Sequence, residues 1–263
     1  NLYNLKKYED LLHESKLLID LFPESLIIRN LIAGAYAGLK IFDQAILQFE
    51  KIIEKNPLDA RAYFNIGNIQ KKLKEYENEI KSYQKAISLN PNFPEAHNNL
   101  GNALKSKGDL DGAVLELKKS LALKYNFPEA HYNLGVAFHA IGRTQDAINS
   151  YKIACRIKPD YTKSYFNMGN ALIDIEDVCQ AIESYEKAIK IKPDFMEVYL
   201  NLGKAFQAQG NFDFAIDIYE QALRIKPDYA EVYLNMGNVL RGKGDLDAAL
   251  KNVNRALEIN PNH

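Results

Sequence analysis

The sequence predicts an all-α protein that stacks copies of one antiparallel helix pair into a solenoid. Three observations support this fold class. All nine prolines belong to series with a spacing of 34 residues, and glycine and alanine recur in the same register. No segment keeps the two-residue alternation of a strand for long. A fixed period of about 20 to 50 residues indicates a repeat architecture, in which each repeat contributes one supersecondary unit.

The period divides the chain into units of equal length. Glycine recurs at one position of six units, as Gly67, Gly101, Gly135, Gly169, Gly203 and Gly237. The proline series are Pro23, Pro57 and Pro91, then Pro94 and Pro128, then Pro159, Pro193, Pro227 and Pro261. We therefore interpret the chain as a single solenoid domain with a partial unit, 1–25, and seven full units, 26–59, 60–93, 94–127, 128–161, 162–195, 196–229 and 230–263.

The first helix of a unit is predicted most clearly in residues 196–229. Val198, Leu202 and Ala205 recur at three- and four-residue steps, as on one face of a helix. Gly210 supplies a stop, because glycine accepts the left-handed conformation that often ends a helix. Gly203 lies in the helix interior, where glycine costs about 1 kcal/mol relative to alanine. We therefore expect Gly203 to mark a close approach to the second helix, near Ala215.

The second helix of the same unit carries Ala215, Ile218 and Ala222 on one stripe, and Pro227 ends it. Proline lacks the N–H that a helix needs and disfavours helical conformation in the residue before it. In unit 94–127, Tyr125 replaces this proline, which predicts a second helix that continues further. Glu79 stands where the other complete units carry alanine, so its carboxylate needs a nearby cation or water.

The pattern of one unit resembles the tetratricopeptide repeat, a helix–turn–helix unit of 34 residues. The residues that carry the resemblance are Tyr199, Leu202, Gly203, Phe206, Ala215, Tyr219, Ala222 and Pro227. The resemblance covers the whole chain. It implies a right-handed superhelix in which the first helices line a concave face and the second helices form the convex face.

Composition excludes several classes of protein. The formal net charge of −1 provides no overall field to attract nucleic acid or an anionic membrane. Two cysteines, Cys155 and Cys179, are too few for a disulfide framework. No apolar run reaches the length of a membrane span, and no signal pattern opens the chain. We expect a cytoplasmic protein without nucleic-acid or membrane partners. Because the chain begins at Asn1 rather than methionine, we interpret it as a fragment of a longer protein.

Asparagine forms the most distinctive pattern on the first helices. One series, which we call the ladder, comprises Asn65, Asn99, Asn133, Asn167, Asn201 and Asn235. A second series comprises Asn68, Asn102, Asn170 and Asn238. An amide both donates and accepts hydrogen bonds, so a row of amides can hold the backbone of an extended peptide. The chain is similar here to the superhelix of O-linked N-acetylglucosamine transferases, whose asparagine ladder grips protein substrates. The alternative is local hydrogen bonding within the repeats.

Other side chains are predicted beside the ladder on the concave face. Phe64, Tyr132 and Phe166 lie between the amides and are candidates to contact apolar side chains of a ligand. Lys105, His139, Lys204 and Arg241 would favour a ligand with acidic character. The alternative for each charged residue is a solvated helix face.

No catalytic constellation is evident in the sequence. His97 and His131 occupy an aromatic packing position, and His139 has no histidine or cysteine at metal-ligand spacing. We therefore expect neither an enzyme nor a cofactor or metal site. The predicted function is a protein–protein interaction scaffold that binds an extended peptide or partner protein in the concave groove. Two alternatives remain open: a substrate-recruiting arm of a larger enzyme such as a glycosyltransferase, and an oligomeric scaffold that self-associates through uncapped ends.

Overall fold

The computed structural model describes residues 5–261, so residues 1–4 of the partial unit and 262–263 of the last unit lie outside it. The described chain contains fifteen α-helices and no strand, which confirms the predicted all-α fold class. Within this range, no helix combines the length and the apolar character that a membrane span requires. The chain forms two compact units, with the boundary between Tyr125 and Asn126.

Both units are built from consecutive helices that pack against each other in pairs. Unit 1 contains α1 (Leu5–Leu21), α2 (Leu26–Gly38), α3 (Phe42–Lys55), α4 (Ala60–Leu73), α5 (Tyr76–Leu89), α6 (Pro94–Lys107) and α7 (Leu110–Leu123). Unit 2 contains α8 (Pro128–Ala140), α9 (Thr144–Ile157), α10 (Thr162–Asp174), α11 (Val178–Ile191), α12 (Met196–Ala208), α13 (Phe212–Ile225), α14 (Ala230–Lys243) and α15 (Leu246–Ile259). From α2 onward, each even-numbered helix is the first helix of a predicted repeat, and the odd-numbered helix after it is the second.

Local sequence signals set the ends of these helices. The Asp59 carboxylate caps α4 by accepting hydrogen bonds from the backbone N–H groups of Arg61 and Ala62, at 3.0 and 3.1 Å. Such caps satisfy N–H groups that have no partner inside the helix. At the other end, α12 stops at Ala208, and Gly210 follows with a φ of +74°. The predicted glycine stop is therefore confirmed.

The glycine series marks the closest approach of the two helices in a pair. A Cβ atom added at Gly203 would lie under 3.0 Å from the ring of Tyr219, a separation that real Cβ atoms essentially never show. The same relation holds for Gly67 with Tyr83, Gly135 with Tyr151 and Gly169 with Tyr185. The expected contact of Gly203 with the second helix is confirmed. The nearest atoms belong to Tyr219, one turn beyond Ala215 on α13.

The prediction that the second helix near Tyr125 continues further was wrong. α7 ends at Leu123 and has the same length as α5, 14 residues. Lys124 leaves the helical region, with φ −144° and ψ 89°, and its N–H still bonds to the Ser120 carbonyl oxygen at 2.9 Å. Pro128 opens α8 and disfavours helical conformation at Phe127, so α7 cannot continue into α8 as one helix. A proline at position 125 is therefore not needed to end α7.

Glu79 is 2% exposed at the contact of α4 and α5. The equivalent residues Ala45 and Ala113 are fully buried and carry no charge. Burial raises the pKa of the Glu79 carboxyl, and the nearby Lys71 ammonium opposes that rise. Lys71 is the cation that the sequence led us to expect near this carboxylate.

Replacing Glu79 with alanine is expected to raise the free energy of unfolding at pH 7 by about 1–3 kcal/mol, because the mutation removes a buried charged group. The folded-state carboxyl keeps its proton at pH values where the unfolded chain has lost it. Stability therefore falls as pH rises from the ordinary value of 4.5 through the raised folded-state pKa. Urea denaturation should show a larger gain at pH 7 than at pH 4. An equal gain at both pH values, or a similar gain from Glu77→Ala on the exposed face of α5, would contradict this account.

Candidate functional site

The two asparagine series lie on the even-numbered helices. In unit 1, α4 carries Asn65 and Asn68, and α6 carries Asn99 and Asn102. In unit 2, α8 carries Asn133, α10 carries Asn167 and Asn170, α12 carries Asn201, and α14 carries Asn235 and Asn238. All of them are half-buried except Asn238, which is exposed. Half-burial leaves these amides accessible to a ligand and also places them next to the core.

Two members of the second series, Asn68 and Asn170, each hold a ladder amide through a hydrogen-bonded triad. In unit 2, the Asn170 Oδ1 atom accepts from the Tyr185 hydroxyl at 2.7 Å and from the Asn201 Nδ2 at 2.9 Å. In unit 1, the Asn68 Oδ1 atom accepts from the hydroxyl of Tyr83 and from Nδ2 of Asn99, both at 2.9 Å. Each triad joins the second helix of one repeat to the first helices of two successive repeats. Asn68 and Asn170 therefore have a structural role.

The triad is missing where the second series lacks asparagine. Val136 and Lys204 occupy this position in two repeats of unit 2. The tyrosines that follow them fifteen residues later, Tyr151 and Tyr219, have buried hydroxyls without a hydrogen-bond partner among the described residues. A buried hydroxyl without a partner costs stability, so these two repeats lack the stabilising contact that Asn68 and Asn170 provide.

The ladder amides beside these positions find other partners. Asn167 donates from Nδ2 to the Tyr132 hydroxyl at 3.1 Å. Asn235 turns back and donates to the carbonyl oxygen of Glu231 in its own helix, at 2.9 Å. Local hydrogen bonding was the alternative that the sequence left open, and several asparagines of the ladder do form such bonds. These amides still retain capacity for a ligand, because an asparagine side chain has two donor hydrogens and an accepting oxygen.

A groove in unit 2 opens beside these amides. It lies between α10 and α12, has a volume of about 470 Å³, and is lined by Asn170 and Asn201 together with Lys204. We call it the α10–α12 groove. The structure thus brings three of the predicted site residues together. Its floor is largely apolar and includes Ile173, Val178, Ala205 and Ala208, which the sequence did not single out.

The predicted cations differ in their surroundings. The His139 Nε2 contacts the Asp174 carboxylate, which also lines the α10–α12 groove. The Lys204 ammonium lies 3.9 Å from the Glu231 carboxylate, with its side chain half exposed. In unit 1, burial and the neighbouring Lys71 lower the pKa of the Lys105 ammonium. The structure places Arg241 at an exposed position of α14.

The three aromatic residues predicted for ligand contact pack against other aromatic rings. The ring centroid of Phe166 lies 5.0 Å from that of Phe195 and 6.2 Å from that of Tyr185. Phe64 makes equivalent contacts with Phe93 and Tyr83, and Tyr132 with Tyr161 and Tyr151. All three are half-buried. Much of their surface is therefore used inside the fold, and less of it faces a ligand than the sequence suggested.

The described histidine and cysteine side chains differ in burial and in their partners. His97 is buried, with Nδ1 2.6 Å from the Glu116 carboxylate and Nε2 3.0 Å from the Pro91 carbonyl oxygen, which is the structural role expected for it. His131 is also buried. Both cysteines are free thiols, with Cys155 buried and Cys179 exposed. Among residues 5–261, no group of three or more His, Cys, Asp or Glu side chains is arranged to hold a metal ion.

Comparison with protein families matches almost the whole repeat region. A model described as TPR repeat matches residues 67–108, 101–142, 137–175 and 169–210, which together span more than half of the chain. Two further models, both described as tetratricopeptide repeat, match residues 48–81 and 194–262. A search of curated protein sequences finds no match.

Solved structures share the arrangement of helices. A crystal structure of MamA is 32% identical in sequence, with a TM-score of 0.59, and the match covers 62% of this chain and 95% of MamA. YrrB, described as a TPR protein with an unusual peptide-binding site, is 22% identical with a TM-score of 0.61, over 70% of this chain and 95% of YrrB. PilF of Pseudomonas aeruginosa is 18% identical with a TM-score of 0.65, over 78% of this chain and 93% of PilF. Together with the family matches, the glycine–tyrosine contacts and the 34-residue helix pairs show that the chain belongs to the tetratricopeptide repeat family.

Proposed function

We propose that this chain is a protein-interaction scaffold that binds an extended peptide along its first helices, with the α10–α12 groove as a principal contact. The observation that carries the proposal is the composition of this groove. Amide groups of Asn170 and Asn201 lie at its edge, above a floor that includes Ile173, Val178 and Ala205. Such a combination of apolar floor and few polar groups is typical of ligand-binding grooves.

The chemistry of the groove matches an extended peptide. Peptide backbone carries alternating donors and acceptors, and half-buried amides offer both. The apolar floor has room for a side chain, and the carboxylate of Asp174 and the ammonium of Lys204 provide charges of both signs at the same groove. YrrB, a neighbour with the same fold, is described as having a peptide-binding site, which supports a peptide as the ligand class here.

The test is to replace Asn133, Asn167 and Asn201 together with alanine. We expect the affinity for a peptide selected by phage display against the wild-type protein to fall between about tenfold and a thousandfold. This range follows from a loss of about 0.5–1.5 kcal/mol for each hydrogen bond. Isothermal titration calorimetry measures the change.

Asn149→Ala on the exposed face of α9 is the matched control and should leave affinity unchanged. Because Asn201 also bonds to Asn170, the circular dichroism and urea midpoint of the triple variant must be recorded beside its affinity. Unchanged affinity in a folded triple variant would discard the ladder as a peptide-binding element.

Self-association is a second candidate, favoured by the last described helix. Leu250 of α15 is 61% exposed, whereas the equivalent residues of earlier repeats, Ile148 and Ile182, are buried. Leu246, one turn earlier on α15, is also exposed, at 65%, and adjoining exposed apolar residues are suited to a second protein surface. Light scattering over a concentration series distinguishes an oligomer from a monomeric binder. The role of a recruiting arm in a larger enzyme stays a prediction from the family resemblance.

A further inference from the structure

A second groove of unit 2 lies between the odd-numbered helices α9 and α11, above α10. It has a volume of about 290 Å³ and includes Tyr165, Met168 and Leu172 of α10 among its lining residues. We call it the α9–α11 groove. It is built from the second helices and shares no lining residue with the α10–α12 groove. Its contents are therefore independent of the peptide site proposed above.

The α9–α11 groove carries a surplus of positive charge. Lys152 and Arg156 of α9 and Lys187 of α11 line it, and the only acidic lining residue is Glu183. Among the described residues, none of these three cations forms an ion pair: the Lys152 ammonium donates to the Gln180 side chain at 3.3 Å, and the Lys187 ammonium lies over the Tyr165 ring, 5.9 Å from its centroid. Three cations and one carboxylate leave a net positive charge at this groove, which favours the binding of an anion.

The fold does not require this charge. The equivalent groove two repeats later has the same three residue types from α14 on its lining, Tyr233, Met236 and Leu240. Acidic side chains predominate there, namely Glu220, Asp247 and Glu258 against Lys251 and Arg255. Arg255 is also neutralised by Glu258, at 2.8 Å. The same architecture thus accepts either sign of charge, so the cations of the α9–α11 groove are a property of this particular repeat.

The polar and apolar parts of the groove define its ligand. The Tyr165 hydroxyl has an ordinary pKa of about 10, which burial raises further, so it carries its proton at neutral pH with or without this rise. Met168 and Leu172 are buried and give the groove an apolar floor. An arginine guanidinium and two ammonium groups suit a dianionic phosphate, which accepts several charge-assisted hydrogen bonds. We propose that the α9–α11 groove binds a phosphate monoester through Lys152, Arg156 and Lys187, with the carrier group of the ester against Met168 and Leu172.

The three methionines of the chain make this proposal testable residue by residue. Met168 lies in the α9–α11 groove, Met236 in the equivalent acidic groove, and Met196 lines neither. With methyl-¹³C-methionine, we expect inorganic phosphate and phenyl phosphate, titrated against sodium chloride at equal ionic strength, to shift the Met168 signal in a saturable way. The signals of Met236 and Met196 should stay in place. Tighter binding of phenyl phosphate than of inorganic phosphate would show that the carrier group of the ester contributes to binding. Equal binding of the two would show that the phosphate group alone is recognised and would contradict the contact of a carrier group with Met168 and Leu172.

A second experiment tests the cations by replacing them with neutral residues. Arg156→Gln combined with Lys187→Gln should weaken phosphate binding by about tenfold or more, because each removes a hydrogen bond between charged groups. Arg255→Gln in the acidic groove is the matched control and should leave the titration of Met168 unchanged. Both cations are exposed, so the double variant is expected to keep the wild-type circular dichroism. A Met168 shift that survives the double substitution, or an equal shift of Met236, would overturn the proposal.

Discussion

Gly203→Val is expected to lower the free energy of unfolding by about 3 kcal/mol, at the upper end of the range for overpacked cores. Any Cβ atom at this position would lie under 3.0 Å from the fully buried ring of Tyr219, and valine adds two methyl groups to it. The ring is fully buried, and side chains inside a protein core are packed too densely to move aside without cost. Urea denaturation followed by circular dichroism measures the loss.

A matched control is present in the same chain. Gly34 also lies inside a first helix, α2, but a Cβ atom added there would meet nothing within 4 Å. Gly34→Val should therefore change stability by only a few tenths of a kcal/mol, since valine and glycine differ little in helix propensity. If the two variants lost equal stability, contact with Tyr219 would not be the reason that position 203 requires glycine.

The period was sufficient to predict the helix pairs, because every unit repeats the same spacing of small residues and helix stops. The period also predicted that Gly203 faces the second helix. It did not identify Tyr219 as the partner, because the choice between Ala215 and Tyr219 depends on how far the tyrosine ring extends across the gap. In the repeat 26–59, the glycine position carries alanine, Ala33, and the tyrosine position of the second helix carries Phe49.

The sequence could predict the two asparagines of the triad as neighbours, but it could not predict the tyrosine. Asn170 and Asn201 are 31 residues apart, which is one period less the three residues that separate the two series. Parallel stacking of successive first helices makes such a pair neighbours, so the period contained this signal. The tyrosine hydroxyl that completes the triad comes from the second helix, and its position requires the crossing geometry of the pair. The same limit applies to the ion pair of His139 with Asp174.

The floors of the two grooves could not be predicted from the period. Ile173 and Val178 line the α10–α12 groove, yet other residue types occupy their positions in neighbouring repeats. Repeat positions that define the fold recur, whereas positions that face a ligand vary from repeat to repeat. A periodic search therefore finds the scaffold and passes over side chains that differ from repeat to repeat, including the cations Lys152 and Arg156.

Asn170→Ala is expected to lower the free energy of unfolding by about 2–4 kcal/mol. The mutation leaves the buried Tyr185 hydroxyl without an acceptor, which costs about 1–3 kcal/mol, and removes the bond from Asn201, which contributes about 0.5–1.5 kcal/mol. Burial raises the pKa of the Tyr185 hydroxyl, so the group cannot avoid this cost by ionising near neutral pH. Urea denaturation of the single variant measures the sum of the two effects.

A double-mutant cycle separates these effects. Adding Tyr185→Phe to Asn170→Ala removes the stranded hydroxyl and should recover about 1–3 kcal/mol, whereas Tyr185→Phe alone should cost about 1 kcal/mol. Tyr219 supplies the control, because its hydroxyl, opposite Lys204, lacks a hydrogen-bond partner within residues 5–261. Tyr219→Phe should therefore leave stability unchanged or raise it slightly. If Tyr185→Phe and Tyr219→Phe had the same effect on stability, the hydrogen bond from the Tyr185 hydroxyl to Asn170 would contribute nothing. The helices that carry the ladder amides, and not the triad, would then determine the positions of these amides.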